Sequence, residues 1–266
     1  IITPTPYPLV VDTPEYVYLV LHFPTTDPEG GARNQEIDFI VGKDFLITCR
    51  YELITSVHNL HKVFEAEELL GITKHKASPG ELLERIMRQL YSAITEEVEQ
   101  FARVLDRIEK DIFDGREHEN VRSISHVNRI LLRFDTTLAR HKEPLKEFLT
   151  QLSTPGFSGK GFAEHVSHIE AEHDHAATIV SSYREVTQVL RETNDSLLSM
   201  KQNDITQRLT IMAFVTFPLT LVAAIFSMDT LHTPLVGAPN DFWLVIGLMV
   251  AIMAIFFLYF KRQKWM

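Results

Sequence analysis

The 266-residue chain is 45% hydrophobic and 23% charged, with a formal net charge of -9. Such a balance belongs to a folded globular chain, and an acidic chain without an extended basic run excludes a general nucleic-acid binder. The single cysteine, Cys49, excludes an internal disulfide framework and a cysteine-based zinc site.

The chain opens on Ile1 rather than Met, so it is expected to lack part of its N-terminus, and no signal peptide is visible. Tyr16 to Phe23, rich in aromatic and β-branched residues, predicts a strand. "EIDFIV" and "FLITCR", joined by Gly42-Lys43-Asp44, predict a hairpin. Cys49 falls in the apolar run from Phe45 and is expected to be a buried small hydrophobe. Helical spacing of Val57, Leu60, Val63, Phe64 and Leu69 follows, with His58, His61 and His75 expected at the surface. Residues 1–77 therefore read as the remainder of an α/β domain.

Residues 78–208 read as helical. Ser78-Pro79-Gly80-Glu81 marks a helix start: Ser78 can cap, Pro79 suits the first turn and Glu81 completes a capping box. This helix should reach about Phe113, with Gly115 near its end and Asp106, Glu109 and Asp111 on a charged face. A second helix is expected from about Asn120 to Leu152, bent or interrupted at Pro144. From Phe162 no proline occurs before Pro218 and no glycine before Gly237. A helix over about 162–228 would be on the order of 100 Å long, a stalk rather than an ordinary globular helix.

Two apolar segments close the chain, and residues 209–266 read as a membrane domain. "LTIMAFVTFPLTLVAAIFSM" (209–228) and "FWLVIGLMVAIMAIFFLYF" (242–260) carry no charge. At ~1.5 Å per residue each spans a ~30 Å hydrocarbon core. The loop 229–241 has no Lys or Arg, whereas the tail has Lys261, Arg262 and Lys264. Positive residues stay inside, so the loop faces out and both chain ends are cytoplasmic. Trp243, Tyr259 and Trp265 sit where interfacial anchors belong, against membrane lipid.

One two-span chain encloses no polar path, so a stalk feeding a span points to self-association about an axis. Along the first span Asn203, Thr206, Leu209, Ala213, Phe217, Thr220 and Ala224 share one helical face, alternating polar, small and apolar. That face suits either a pore lining or close helix packing through small residues. Upstream, "EHVSHIEAEHDH" places His168, Glu172 and His175 on one face at spacings of four and three. This is a candidate transition-metal site, set against a plain solvated acidic face. No Walker-type loop and no nucleophile–histidine arrangement is present, so neither an enzyme nor an organic cofactor is expected.

The segment "NDITQRLTIMAFVTFPLTLVAAIFSMD", a short outer loop, a second span and a tail ending in Lys264-Trp265 resemble the CorA-type divalent metal-ion transporters. "VLDRIEKDIF" and "ILLRFDTTLARHKEPLKEFL" resemble that family's two helices before its stalk. The resemblance implies a funnel-shaped homopentamer with an α+β cytosolic domain, a long stalk and two membrane helices in the plasma or inner membrane. It implies channel-like passage of divalent cations, Mg²⁺ foremost, through a pore lined by the first span. The family carries Tyr-Gly-Met-Asn at the outer end of that span, where this chain has Phe226-Ser227-Met228-Asp229. Ser227, Met228 and Asp229 thus stand at the implied ion entry, with a carboxylate in place of the amide. The altered motif leaves two further readings: a non-conducting, regulatory metal sensor or scaffold, and a Zn²⁺ transporter of the ZntB type.

Overall fold

The computed structural model describes residues 4–27, 30–71, 77–154, 162–228 and 241–262. The elements run β1 (Leu9–Asp12), β2 (Tyr16–Thr26), β3 (Ala32–Gly42), β4 (Leu46–Arg50), α1 (Thr55–Leu69), α2 (Pro79–Phe113), α3 (Glu117–Leu152), α4 (Phe162–Phe226) and α5 (Asp241–Arg262). A small sheet, a long helix and a terminal apolar helix form the mostly helical architecture expected. The chain divides into two compact units, Ile1–Asn194 and Asp195–Met266.

In the first unit the four strands form an antiparallel sheet in the order β1-β2-β3-β4. Antiparallel partners project to the same face, and the register pairs Leu19 with Phe39 and Leu21 with Ile37. These residues are fully or almost fully buried, as is Val17. Phe23, on the same side of β2, packs on Tyr91 of α2 and His141 of α3, with ring centroids 5.6 and 5.1 Å away. The opposite face is more open: Leu9, Val11 and Ile47 are exposed there, around a fully buried Asp38. Burial raises the pKa of the Asp38 carboxyl, against the opposing pull of Tyr18 and Glu36 beside it. Cys49 is half-buried rather than buried, because β4 is an edge strand and Cys49 pairs with Asp38 on this open face.

The helices obey local rules. The Ser78 hydroxyl accepts the Glu81 N–H at 3.2 Å, and Pro79 occupies the first turn of α2. At Gly115, φ is 88°, the left-handed conformation that stops α2 and that glycine adopts freely. Gly80 is needed for another reason: a Cβ there would meet the Phe162 ring at 2.7 Å, so glycine lets the start of α4 lie against α2. α3 begins slightly before the expected Asn120 and runs through Pro144 unbroken. α4 is one helix of 65 residues with Pro218 inside it. β1 was not expected from the sequence.

Candidate functional site

Among the described residues two helices, α4 and α5, are long and apolar enough to cross a membrane. They meet at Phe214 and Phe260, whose ring centroids lie 6.3 Å apart, and Phe260 is buried there. Trp243 and Tyr259, near opposite ends of α5, are exposed as interfacial anchors would be. Trp265 and Lys264 lie outside the described residues.

All seven residues of the expected lining lie on α4, and α5 covers none of them fully. Asn203, Thr206, Thr220 and Ala224 are exposed and Ala213 is half-exposed. Leu209 is 61% and Phe217 73% exposed. Two hydroxyl protons on this face are committed internally. Thr206 Oγ1 donates to the Gln202 carbonyl at 2.9 Å, and Thr220 Oγ1 to the Thr216 carbonyl at 2.9 Å. A hydroxyl oxygen that has donated its proton retains lone pairs as acceptors, so each of these threonines keeps an acceptor oxygen. Pro218, lacking an N–H, leaves the Phe214 carbonyl without its usual helical donor.

At the outer end of α4 the Ser227 N–H bonds the Ala223 carbonyl at 3.0 Å, and the Met228 N–H bonds the Ile225 carbonyl at 3.3 Å. The helix therefore closes on its own carbonyls, and the Met228 side chain is 61% exposed. Asp229 and the loop that follows it lie outside the described residues.

Comparison with known proteins decides the family. The model of the CorA-like Mg²⁺ transporter proteins matches residues 1–262. The chain belongs to the CorA-like Mg²⁺ transporter family. It is 22% identical over 255 residues to the cobalt/magnesium transport protein CorA of Methanocaldococcus jannaschii, covering 96% of this chain and 79% of that one. It is 28% identical over 189 residues to the cobalt/magnesium transport protein CorA of Thermotoga maritima, covering 66% of this chain and 52% of that one. The complete structure of the M. jannaschii CorA magnesium transporter superposes with a TM-score of 0.83 at 20% identity, covering 98% of this chain and 80% of that one. This CorA-like protein is a two-span membrane transporter of divalent cations.

The histidine segment of the CorA-like chain is organised around a residue that sequence spacing did not reveal. Glu84 of α2, almost buried, receives His165 Nδ1 on one carboxylate oxygen and His168 Nδ1 on the other, the latter at 3.0 Å; Arg88 also bonds it. Burial alone would raise the Glu84 carboxyl, but these hydrogen bonds and the Arg88 charge hold it below its ordinary pKa. Glu172, the middle member of the expected triplet, pairs with Arg88 at 3.3 Å, and His175 is exposed. The structure thus brings His168 to Glu84 and Glu172 to Arg88. Among the described residues no group of three His, Cys, Asp or Glu side chains is gathered closely enough to hold a metal.

Deeper in the first unit lies a second polar group missed by sequence reasoning. His141 is fully buried; its Nε2–H donates to the His22 carbonyl at 2.8 Å, and its Nδ1 accepts the Tyr91 hydroxyl at 3.2 Å. Burial lowers its pKa to about 3, which keeps the ring neutral. His173 packs edge-on against Tyr91 at 5.5 Å and donates to the Leu138 carbonyl at 3.0 Å.

Proposed function

We propose that the protein conducts divalent cations down a pore built from five copies, with one α4 face from each copy around the axis. The observation that carries this reading is the row from Asn203 to Ala224: oxygen-bearing and apolar residues alternate on a face left uncovered by α5. Thr220, Thr206 and Asn203 provide polar stations, and Phe217 and Leu209 provide hydrophobic constrictions that gate by dewetting. Ser227, Met228 and Asp229 form the outer entry, where the Asp229 carboxylates attract the hydrated cation. Crowded carboxylates raise one another's pKa and titrate as a set, which tempers the charge of the ring. Mg²⁺ yields its water reluctantly, so contact through the first hydration shell suits a wide ring. The relatives are named for cobalt and magnesium, which puts Co²⁺ beside Mg²⁺ as cargo and favours neither the scaffold nor the zinc-specific reading. The basic tail, with Lys261 and Arg262 at the end of α5, supports cytoplasmic chain ends.

The test is ion flux into liposomes holding the intact protein, followed with an indicator for Mg²⁺ or Co²⁺. Wild type is expected to conduct both. Asp229→Asn should change the ion preference, and Asp229→Ala should lower uptake at limiting cation by at least about tenfold, equivalent to ~1.4 kcal/mol. Absence of any divalent flux from the assembled protein would sink the proposal, as would identical flux in wild type and both variants.

A further inference from the structure

Read linearly, the chain contains no basic run, but α3 assembles one on folding. His126, Arg129, Arg133, Thr136 and Arg140 recur at spacings of three and four, which sets them along one side of the helix. They line a cleft of about 750 Å³ whose other wall includes Asp27, Gly31 and Asn34 from the β2–β3 connection and β3. An adjoining cleft of about 470 Å³ shares His126 and adds Arg103 and Arg107 of α2. Both volumes lie in the range of small-molecule sites.

The charge in this cleft is unusual for an acidic protein. Five arginines elsewhere in the unit are paired: Arg33 with Glu52, Arg85 with Glu67, Arg88 with Glu84, Arg116 with Asp111 and Arg184 with Asp135. Arg129 and Arg140 have no carboxylate partner among the described residues. Among the described residues Asp27 is the one acid lining the larger cleft, and its carboxylate already accepts the Gly31 N–H at 2.7 Å. Arg133 is held in place by the Ala32 carbonyl, to which it donates.

We propose that this cleft binds a phosphate-bearing small molecule of diphosphate or triphosphate length. The planar guanidinium fork matches phosphate oxygens two at a time, and its charge persists at any physiological pH. Arg129 and Arg133 are separated by ~6 Å of helix rise, and Arg129 and Arg140 by ~16 Å. One phosphate engages a single neighbouring pair, whereas a chain of phosphates engages several members of the row. Such molecules are also strong chelators of divalent cations, so the ligand would report on the form in which the cargo is held inside the cell.

Equilibrium dialysis of the detergent-solubilised full chain against radiolabelled inorganic pyrophosphate and tripolyphosphate, in magnesium-free buffer with chelator, tests the proposal. Saturable binding is expected, weakening as salt rises. The double variant Arg129→Gln/Arg140→Gln should bind at least tenfold more weakly. Lys142→Gln/Lys146→Gln removes the same charge from exposed positions on another side of α3 and should leave binding within twofold of wild type. All four positions are exposed, and an unchanged melting temperature verifies folding of both variants. Absence of saturable binding at millimolar anion overturns the proposal, as does equal weakening in both double variants. A changed oligomeric state in the arginine variant, with no anion bound by wild type, also overturns it and assigns the row to an acidic surface of a second copy.

Discussion

The two units solve the problem of apolar side chains in opposite ways. The first hides them: Leu19, Leu21, Phe39, Phe134 and Phe148 have no appreciable exposure, and even the polar Tyr91 and His141 are enclosed and satisfied by one another. The second leaves Leu209, Met212, Phe217, Trp243 and Leu258 more than half exposed. Exposure on this scale exceeds what a soluble monomer carries. The first unit is stabilised by contacts within the chain, whereas the second, in the proposed assembly, would take its stabilisation from lipid and from other copies. The same residue type therefore has different consequences in the two places.

That contrast can be broken at a single residue. Phe134→Ala empties a fully buried site on α3 and should cost about 3–5 kcal/mol in denaturant unfolding of the detergent-solubilised protein. A smaller loss would mean the core is looser than its burial implies. Next comes acid. The His141 ring has its pKa lowered to about 3 by burial, against an unfolded value near 6.5. The unfolded chain takes up this proton first, so the stability tied to the neutral ring is complete above about pH 6.5 and is lost as pH falls toward the folded value. The loss should be about 1.4 kcal/mol per pH unit. The buried Glu36 and Asp38 carboxyls, with raised pKa values, act in the opposite direction, so wild type must be measured against His141→Phe. The gap between the two should narrow or reverse on acidification, and a constant gap from pH 7 to 5 would refute the assignment. Ser78→Ala removes the cap of α2 and should cost about 1 kcal/mol, read as a small fall in melting temperature. The smallest expected change in stability comes from Phe217→Ala, within about 0.5 kcal/mol for an exposed side chain. The same variant should alter divalent flux in liposomes, so unaltered flux would remove Phe217 from the proposed constriction.

What was legible in the sequence was local or periodic. Ser78-Pro79-Gly80-Glu81 announces α2 because cap, first-turn proline and acid act within one turn. α4 is announced by the long interval without helix breakers, and the membrane segments by length and lack of charge. β1 escaped because Leu9–Asp12 is four residues long among Pro6, Pro8 and Pro14, and only pairing with β2 makes it a strand. Cys49 was misjudged because an apolar run does not disclose which strand lies at the edge. Glu84 escaped because its histidine partners stand 81 and 84 residues away. Tyr91, His141 and His173 come from three helices, and no spacing rule joins them. The arginine row was hidden by its own helical period, which spreads on paper what α3 gathers. In the membrane segment the candidate face was readable from spacing alone. The commitment of its threonine protons to the helix backbone required coordinates.

That commitment bears on how discrimination would hold up across conditions. A carboxylate entry, the role proposed for Asp229, would weaken as acid neutralises it, and its hold on a cation would vary with the charge of its neighbours. Thr206 and Thr220 have no ionisable proton in any accessible range, and the one proton each carries is engaged by the carbonyl one turn earlier. Each keeps an acceptor oxygen, and does so equally in acidified and neutral surroundings. Placed inside the pore, such residues would favour positive over negative permeants by a pH-invariant filter, leaving only the strength of capture at the mouth to follow the proton concentration outside.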